Sequence, residues 1–412
     1  MSIYLRLFDS ETAYTQDRNT NYFEPWVSYT EENREVNYNK SEEEKKRDRL
    51  LGTPLTFNIT GDGVIRWLAR SSGYTRAVEY KKNDGEWTTL TSNTGASAPS
   101  INVVSGDTVQ FRGNNSTYAS GYNVYNQFSG TTCSFSLEGN IMSLVDSENF
   151  VTAVTLDTTK TYTFAALFQK CTGLTDASKL MLPATTLANS CYYNMFQGCS
   201  SLMATPELPA TTLADSCYSS MFDNCISLTT PPELPATTLA QSCYSRMFQY
   251  CSALTSTPEL PSESVPTSGY VGMFASCTSL TTAPELPATQ LANGCYYDMF
   301  YECTNLVNVQ DIFPATTLAL NCYSRMFYGC TSLTTAPVLP ATTLANSCYS
   351  SMFYRCQNLT YVKAMFLSVG SSSNITSWLT GVSTTGTFVK NANATWADAG
   401  IPEGWTIETA SE

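Results

Sequence analysis

Leu182-Pro-Ala-Thr-Thr-Leu-Ala-Asn-Ser-Cys-Tyr-Tyr-Asn-Met-Phe-Gln-Gly-Cys-Ser-Ser-Leu202 returns as Leu208-Pro-Ala-Thr-Thr-Leu-Ala-Asp-Ser-Cys-Tyr-Ser-Ser-Met-Phe-Asp-Asn-Cys-Ile-Ser-Leu228. The same unit recurs from about Thr163 to Lys363. Its second cysteine falls at Cys171, Cys199, Cys225, Cys251, Cys277, Cys303, Cys330 and Cys356, and the Met-Phe pair and a leucine keep the same register. The usual spacing of 26 lies in the range of leucine-rich repeats, in which each unit forms one coil that cannot bury its apolar face alone. The expectation is therefore a right-handed solenoid of about eight coils, mainly β with short helices. The proline-bearing stretch Leu-Thr-Thr-Ala-Pro-Glu-Leu-Pro should be extended, because proline fixes φ and pushes its predecessor towards the β region. The stretch Ala-x-x-Cys-Tyr-x-x-Met-Phe sets Cys and Met four apart, which predicts one helical face.

Working outward, residues 51–150 read as short strands. These are Leu55–Thr60, Val64–Trp67, Ala77–Tyr80, Glu86–Leu90, Ile101–Val104, Thr108–Phe111 and Ser134–Leu137. Asn83-Asp-Gly85 and Ser105-Gly-Asp107 are hairpin signals between them. A small β-sandwich of Ig-like type is predicted over 51–150, with Gly139–Leu144 leading into the first coil and covering its apolar end. The repeats then occupy 151–363 and decay into a cap over 364–412. Residues 1–50 are dense in charge and sprinkled with aromatics, so they are predicted to dock on another protein through Tyr22, Phe23, Trp26 and Tyr29.

Composition narrows the chemistry. The 412 residues contain no histidine, which removes the imidazole-based nucleophile systems and His-ligated metals. A net charge of −13 leaves no broad cationic surface for a phosphate backbone, so nucleic acid is not an expected partner. No Walker A loop or G-x-S-x-G elbow is present, and no acidic pair stands out as a glycosidase couple. The expectation is a chain without enzymatic activity and without a cofactor. No apolar run approaches the ~18 residues that cross a membrane, and the first residues do not read as a secretory signal.

The fifteen cysteines form Cys-x7-Cys pairs such as Cys191/Cys199. Where Thr163 and Gly269 replace the first member, Cys171 and Cys277 persist, which favours inward structural thiols over disulfides. The spacing does not suit zinc. The Glu207, Glu233, Glu259 and Glu285 row reads as a solvated face. Variation between copies concentrates in the pairs after Tyr and after Phe. Tyr193, Asn194, Arg246, Tyr250, Tyr297, Asp298, Tyr301, Arg325, Tyr328 and Tyr354 are the candidate ligand-binding residues there. Rings that stack on sugar C–H surface beside amides and charges that bond hydroxyls suit a glycan. An ordinary solvent surface would show the same drift.

The unit resembles the BspA-type leucine-rich repeat of surface proteins from gut Bacteroidales, over about half of the chain. That resemblance implies adhesion or binding without catalysis. The segment Glu24-Pro-Trp-Val-Ser-Tyr-Thr-Glu-Glu32 with Val36-Asn-Tyr-Asn-Lys40 is similar to the start of proteins of Bacteroidales phages and prophages. Together these imply a virion fibre or decoration protein, held by other virion proteins through residues 1–50 and meeting host-surface or mucus glycan or protein. The alternative is a BspA-type adhesin at the bacterial cell surface or secreted. A homo-oligomer such as a trimer stays open.

Overall fold

A computed structural model describes residues 40–311, 313–398 and 400–410. The docking residues Tyr22, Phe23, Trp26 and Tyr29 lie outside the described residues. Helix α1 (Glu42–Leu51) is the only α-helix among the described residues. Its start is a reciprocal capping box: the Glu44 amide donates to the Ser41 hydroxyl and the Ser41 amide donates to the Glu44 carboxylate at 2.7 Å.

Strands β1 (Leu55–Ile59), β2 (Gly63–Arg66), β3 (Leu68–Ala69), β4 (Ala77–Lys82), β5 (Thr88–Thr91), β6 (Ser100–Val103), β7 (Thr108–Arg112), β8 (Ala119–Gly121), β9 (Val124–Gln127) and β10 (Phe135–Asn140) follow. Each of the seven expected strand stretches corresponds to one of these elements. Strands β3, β8 and β9 are too short and irregular to leave a period-two signal. With β11 (Leu174–Met181) at its edge, the largest sheet has the order β11-β10-β1-β7-β4-β5, with β2-β6 and β3-β9-β8 as smaller sheets. Strand β11 belongs to the first repeat and pairs in parallel with β10. The sheet therefore runs into the repeats without a seam.

The repeats stack as coils, which we number one to eight by the cysteines Cys171 to Cys356. Few strands occur in them, the short β12 (Ser264–Val265) and β13 (Gln290–Leu291) among them, because prolines remove ladder donors. Isolated bridges such as Thr186↔Thr212 and Thr212↔Thr238 mark the same parallel edge. The stretch expected to be helical is instead a run of β-turns. Within coil two the amides of Cys191, Tyr193, Met195, Gln197 and Cys199 each close a turn onto the carbonyl three residues back. The alternate amides of Ser190, Tyr192, Asn194, Phe196 and Gly198 each donate to coil three, at Asp215, Cys217, Ser219, Met221 and Asp223. Every backbone donor in the stretch is thereby satisfied, half locally and half by the neighbour.

That geometry needs a left-handed residue at every fourth position. Ser190, Asn194 and Gly198 have φ of 56°, 55° and 73° in coil two, and Ser216, Ser220 and Asn224 repeat the pattern in coil three. A helix and this turn run place Cys and Met on one face equally well, so apolar spacing does not distinguish them. Small polar residues and glycine at every fourth position do, since these tolerate positive φ best.

Inward side chains form ladders. Phe196, Phe222, Phe248 and Phe274 stack with centroids 5.5, 5.7 and 5.8 Å apart and planes within 8°. Tyr192, Tyr218 and Tyr244 run alongside in the same manner. All fifteen cysteines are buried and free. Eight of them donate Sγ–H to a phenylalanine carbonyl in the preceding layer, as Cys225 does to Phe196 at 3.2 Å and Cys251 to Phe222 at 3.1 Å. Coil one is covered on its apolar side by Tyr118 and Phe128, which stack on Phe164 and Phe168. The pairing continues beyond Lys363 through β14 (Tyr361–Ala364), β15 (Gly386–Lys390) and β16 (Trp405–Thr409), all parallel. No helix of the described residues is long and apolar enough to cross a membrane.

Candidate functional site

The left-handed corners and the residues beside them make up one face of the stack. Most of the corners are Ser, Asn or Gly. The bulky exceptions Tyr162, Lys170, Arg246, Tyr250, Glu302, Arg325 and Arg355 have φ between 54° and 60°, and Ala166 and Asp298 are the smaller exceptions. A large L-residue in that region costs of order 1 kcal/mol, which Gly or Asn would largely avoid. After Arg112 the sequence contains only three arginines, Arg246, Arg325 and Arg355, and all three occupy such corners.

Lys170, Arg246, Glu302 and Arg355 are each followed one period on by a glycine, whereas Tyr250 and Arg325 are followed by Ser276 and Ser351. A Cβ at Gly198 would lie 3.2 Å from Lys170 Cγ, one at Gly272 3.3 Å from Arg246 Cγ, and one at Gly329 3.1 Å from Glu302 Cγ. In these three pairs the aliphatic part of the long side chain passes over the glycine, where a Cβ would crowd it.

Coils six to eight gather most of the candidates. Arg325 is the hub: its Nη1 donates to Tyr297 Oη at 2.8 Å, and its Nε is 3.1 Å from Asp298 Oδ1. Its guanidinium lies 4.9 Å from the Tyr301 ring centroid and 5.5 Å from those of Tyr297 and Tyr328. Tyr301 stacks on Tyr328 at 4.7 Å, and Tyr328 stacks on Tyr354 at 4.8 Å. Arg355, which sequence reasoning left out of the candidate set, sits over Tyr354 at 5.3 Å.

Asp298 is the electrostatic oddity of the cluster. Burial pushes its carboxyl up to about 6, against the pull of Arg325 and Arg246. The pair with Arg325 is close in distance, yet Oδ1 accepts no aligned hydrogen bond and is itself buried. It is a charge contact without the directional bond that would hold the ionised form.

The other candidates lie elsewhere on the face. Arg246 and Tyr250 are on coil four, where Tyr250 is 51% exposed and Arg246 has no ion pair among the described residues. Tyr193 and Asn194 are on coil two, apart from the Arg325 cluster. The Glu207, Glu233, Glu259 and Glu285 row is exposed. No group of three or more acidic or cysteine side chains placed to hold a metal occurs among the described residues.

Stacked units with fixed inward ladders and one variable face define a leucine-rich-repeat protein. The chain belongs to the BspA type leucine rich repeat family, whose model matches residues 168–298 and 295–377 in six copies. No curated protein matches the chain.

Proposed function

We propose that the chain is a non-enzymatic, adhesin-like recognition protein, a right-handed solenoid joined to a β-sandwich, displayed at a bacterial surface or secreted. Its corner face engages host-surface or mucus glycan or protein. The observation that carries this reading is the placement of arginine and tyrosine at left-handed corners, most of which are Ser, Asn or Gly. Strain retained at chosen positions is characteristic of functional sites. Family membership supports the adhesin half of the reading.

The test is binding to immobilised intestinal mucin by the full chain and by a triple variant, Arg246→Ser, Tyr250→Ser and Arg355→Ser. Serine is the residue that the equivalent corners Ser220, Ser276 and Ser351 already carry, so the fold should tolerate all three changes. Loss of at least tenfold in affinity is expected. Equal binding by both proteins refutes the face, and release of reducing ends from a polysaccharide panel would refute the non-enzymatic assignment.

Virion placement draws on the aromatic segment around Tyr22, Phe23, Trp26 and Tyr29. Mass spectrometry of purified particles tests it, absence of the polypeptide removing it. Sedimentation equilibrium tests the trimer.

A further inference from the structure

We propose a second carbohydrate subsite on this protein, formed by Tyr122, Tyr162 and Tyr193 with Asn194, which takes the unsubstituted C–H face of a neutral hexopyranose. It rests on the same recognition reading but on none of the coil six-to-eight residues. Tyr122 stands in the loop between β8 and β9, Tyr162 in coil one and Tyr193 in coil two, so the topology joins three separate segments here.

The three rings are mutually near-perpendicular. Tyr122 and Tyr162 meet at 72° with centroids 5.6 Å apart, Tyr122 and Tyr193 at 81° and 5.1 Å, and Tyr162 and Tyr193 at 89° and 6.4 Å. Edge-to-face contact covers a face of one partner and only an edge of the other, whereas parallel stacking covers a face of both. In the Tyr301, Tyr328 and Tyr354 stack the rings cover one another, and Arg325 and Arg355 lie over them. That stack offers a ligand ring edges and hydroxyls. The three edge-to-face contacts of the triad occupy at most three of its six ring faces, and Tyr122 is 59% exposed. The triad is thus the better stacking platform of the two.

Polar groups beside it are incompletely used. Asn194 Oδ1 is buried and accepts no hydrogen bond, and the same holds for Asp223 Oδ1 in the next coil. Asp223 ends a buried chain in which Tyr125 Oη donates to Gln169 at 2.7 Å, Gln169 donates to Gln197, and Gln197 donates to Asp223 Oδ2 at 2.6 Å. Burial raises the Tyr193 phenol, and the nearby Asp223 carboxylate adds a smaller push in the same direction. Stacking surface beside unpaired acceptors matches a sugar, which presents C–H groups on one face and hydroxyl donors at its rim. Tyr162 has φ of 60°, another bulky residue held in the left-handed region.

The experiment compares the full chain with Tyr122→Ser and Tyr193→Ser on a printed array of neutral and acidic glycans, with thermal unfolding of each variant as the control for folding. Serine already occupies the position of Tyr193 in other coils, at Ser219, Ser245 and Ser324. Losing one stacking ring should weaken neutral hexose-terminated spots about tenfold in each variant, with unfolding temperature unchanged. Retained array binding in both variants, alongside loss in the Arg246, Tyr250 and Arg355 triple variant, overturns the subsite and leaves the corner face standing. Wild-type silence on the array with persistent mucin binding also overturns it, as does capture of acidic spots alone.

Discussion

Asp298 should be a residue that the fold tolerates at a cost, and Asp298→Asn should reveal how large that cost is. Its carboxyl is pushed from an ordinary 3.8 up to about 6, so the folded chain binds this proton more tightly than the unfolded chain does. The sign follows directly. Stability from this group is complete below pH 3.8 and is lost as pH rises through 6. At about 1.4 kcal/mol per tenfold, ionisation at pH 8 costs about 3 kcal/mol, and the 22% exposure of the side chain trims that to about 2 kcal/mol. Asparagine keeps the shape, tolerates the left-handed φ of 57° and carries no charge. Urea unfolding from pH 4 to pH 8 should place Asp298→Asn about 2 kcal/mol above wild type at pH 8, with the two converging at pH 4. A variant equal to or weaker than wild type at pH 8, or a pH-independent difference, would refute the reasoning. The confirmed result would also identify Asp298 as a position where stability was yielded for something else, as binding sites commonly show.

Three further outcomes follow from the same structure. Phe248→Ala removes a fully buried ring stacked at 5.7 and 5.8 Å on its two neighbours, and should lower unfolding free energy by about 4 kcal/mol in urea titration. Burial pushes the Cys191, Cys199 and Cys303 thiols up to about 12, so the native protein should leave a thiol-specific disulfide reagent unreacted at pH 8 and release near fifteen equivalents on unfolding. Gly329→Ala should cost about 1–2 kcal/mol by thermal unfolding, from a φ of 71° and a Cβ 3.1 Å from Glu302 Cγ. Adding Glu302→Ala should recover only the contact part.

The ladders were legible because their spacing is set by stacking: Cys, Met-Phe and Leu must return once per coil, whatever path the chain takes between them. The path was not legible from apolar spacing, since Cys191 and Met195 share a side on either a helix or a turn run. The deciding signal was polar, in Ser190, Asn194 and Gly198, and it registers only when the backbone conformation those residues favour is considered. Tyr297, Asp298, Tyr301, Arg325, Tyr328 and Tyr354 were found as variable positions and do converge. Arg246 and Tyr193 share the face without joining them, because variability marks a column and says nothing of distance along it. Tyr122 and Tyr162 lay beyond that reasoning, one in a loop before the repeats and the other a corner of an atypical coil. The pairing of Arg246 with Gly272 was present in the sequence as a long residue followed one period later by glycine.

The corner amides all point the same way. In coils one to seven the five alternate N–H groups reach towards the following coil and meet its carbonyls, as those of Ser190 to Gly198 do. Aligned peptide units add, so this edge carries a cumulative dipole whose positive pole lies at the last coil, the reverse of an α-helix, whose positive pole is its amino end. Each extra coil lengthens that dipole by one step, so gain or loss of repeats would tune the field at the two ends of the stack as well as its length.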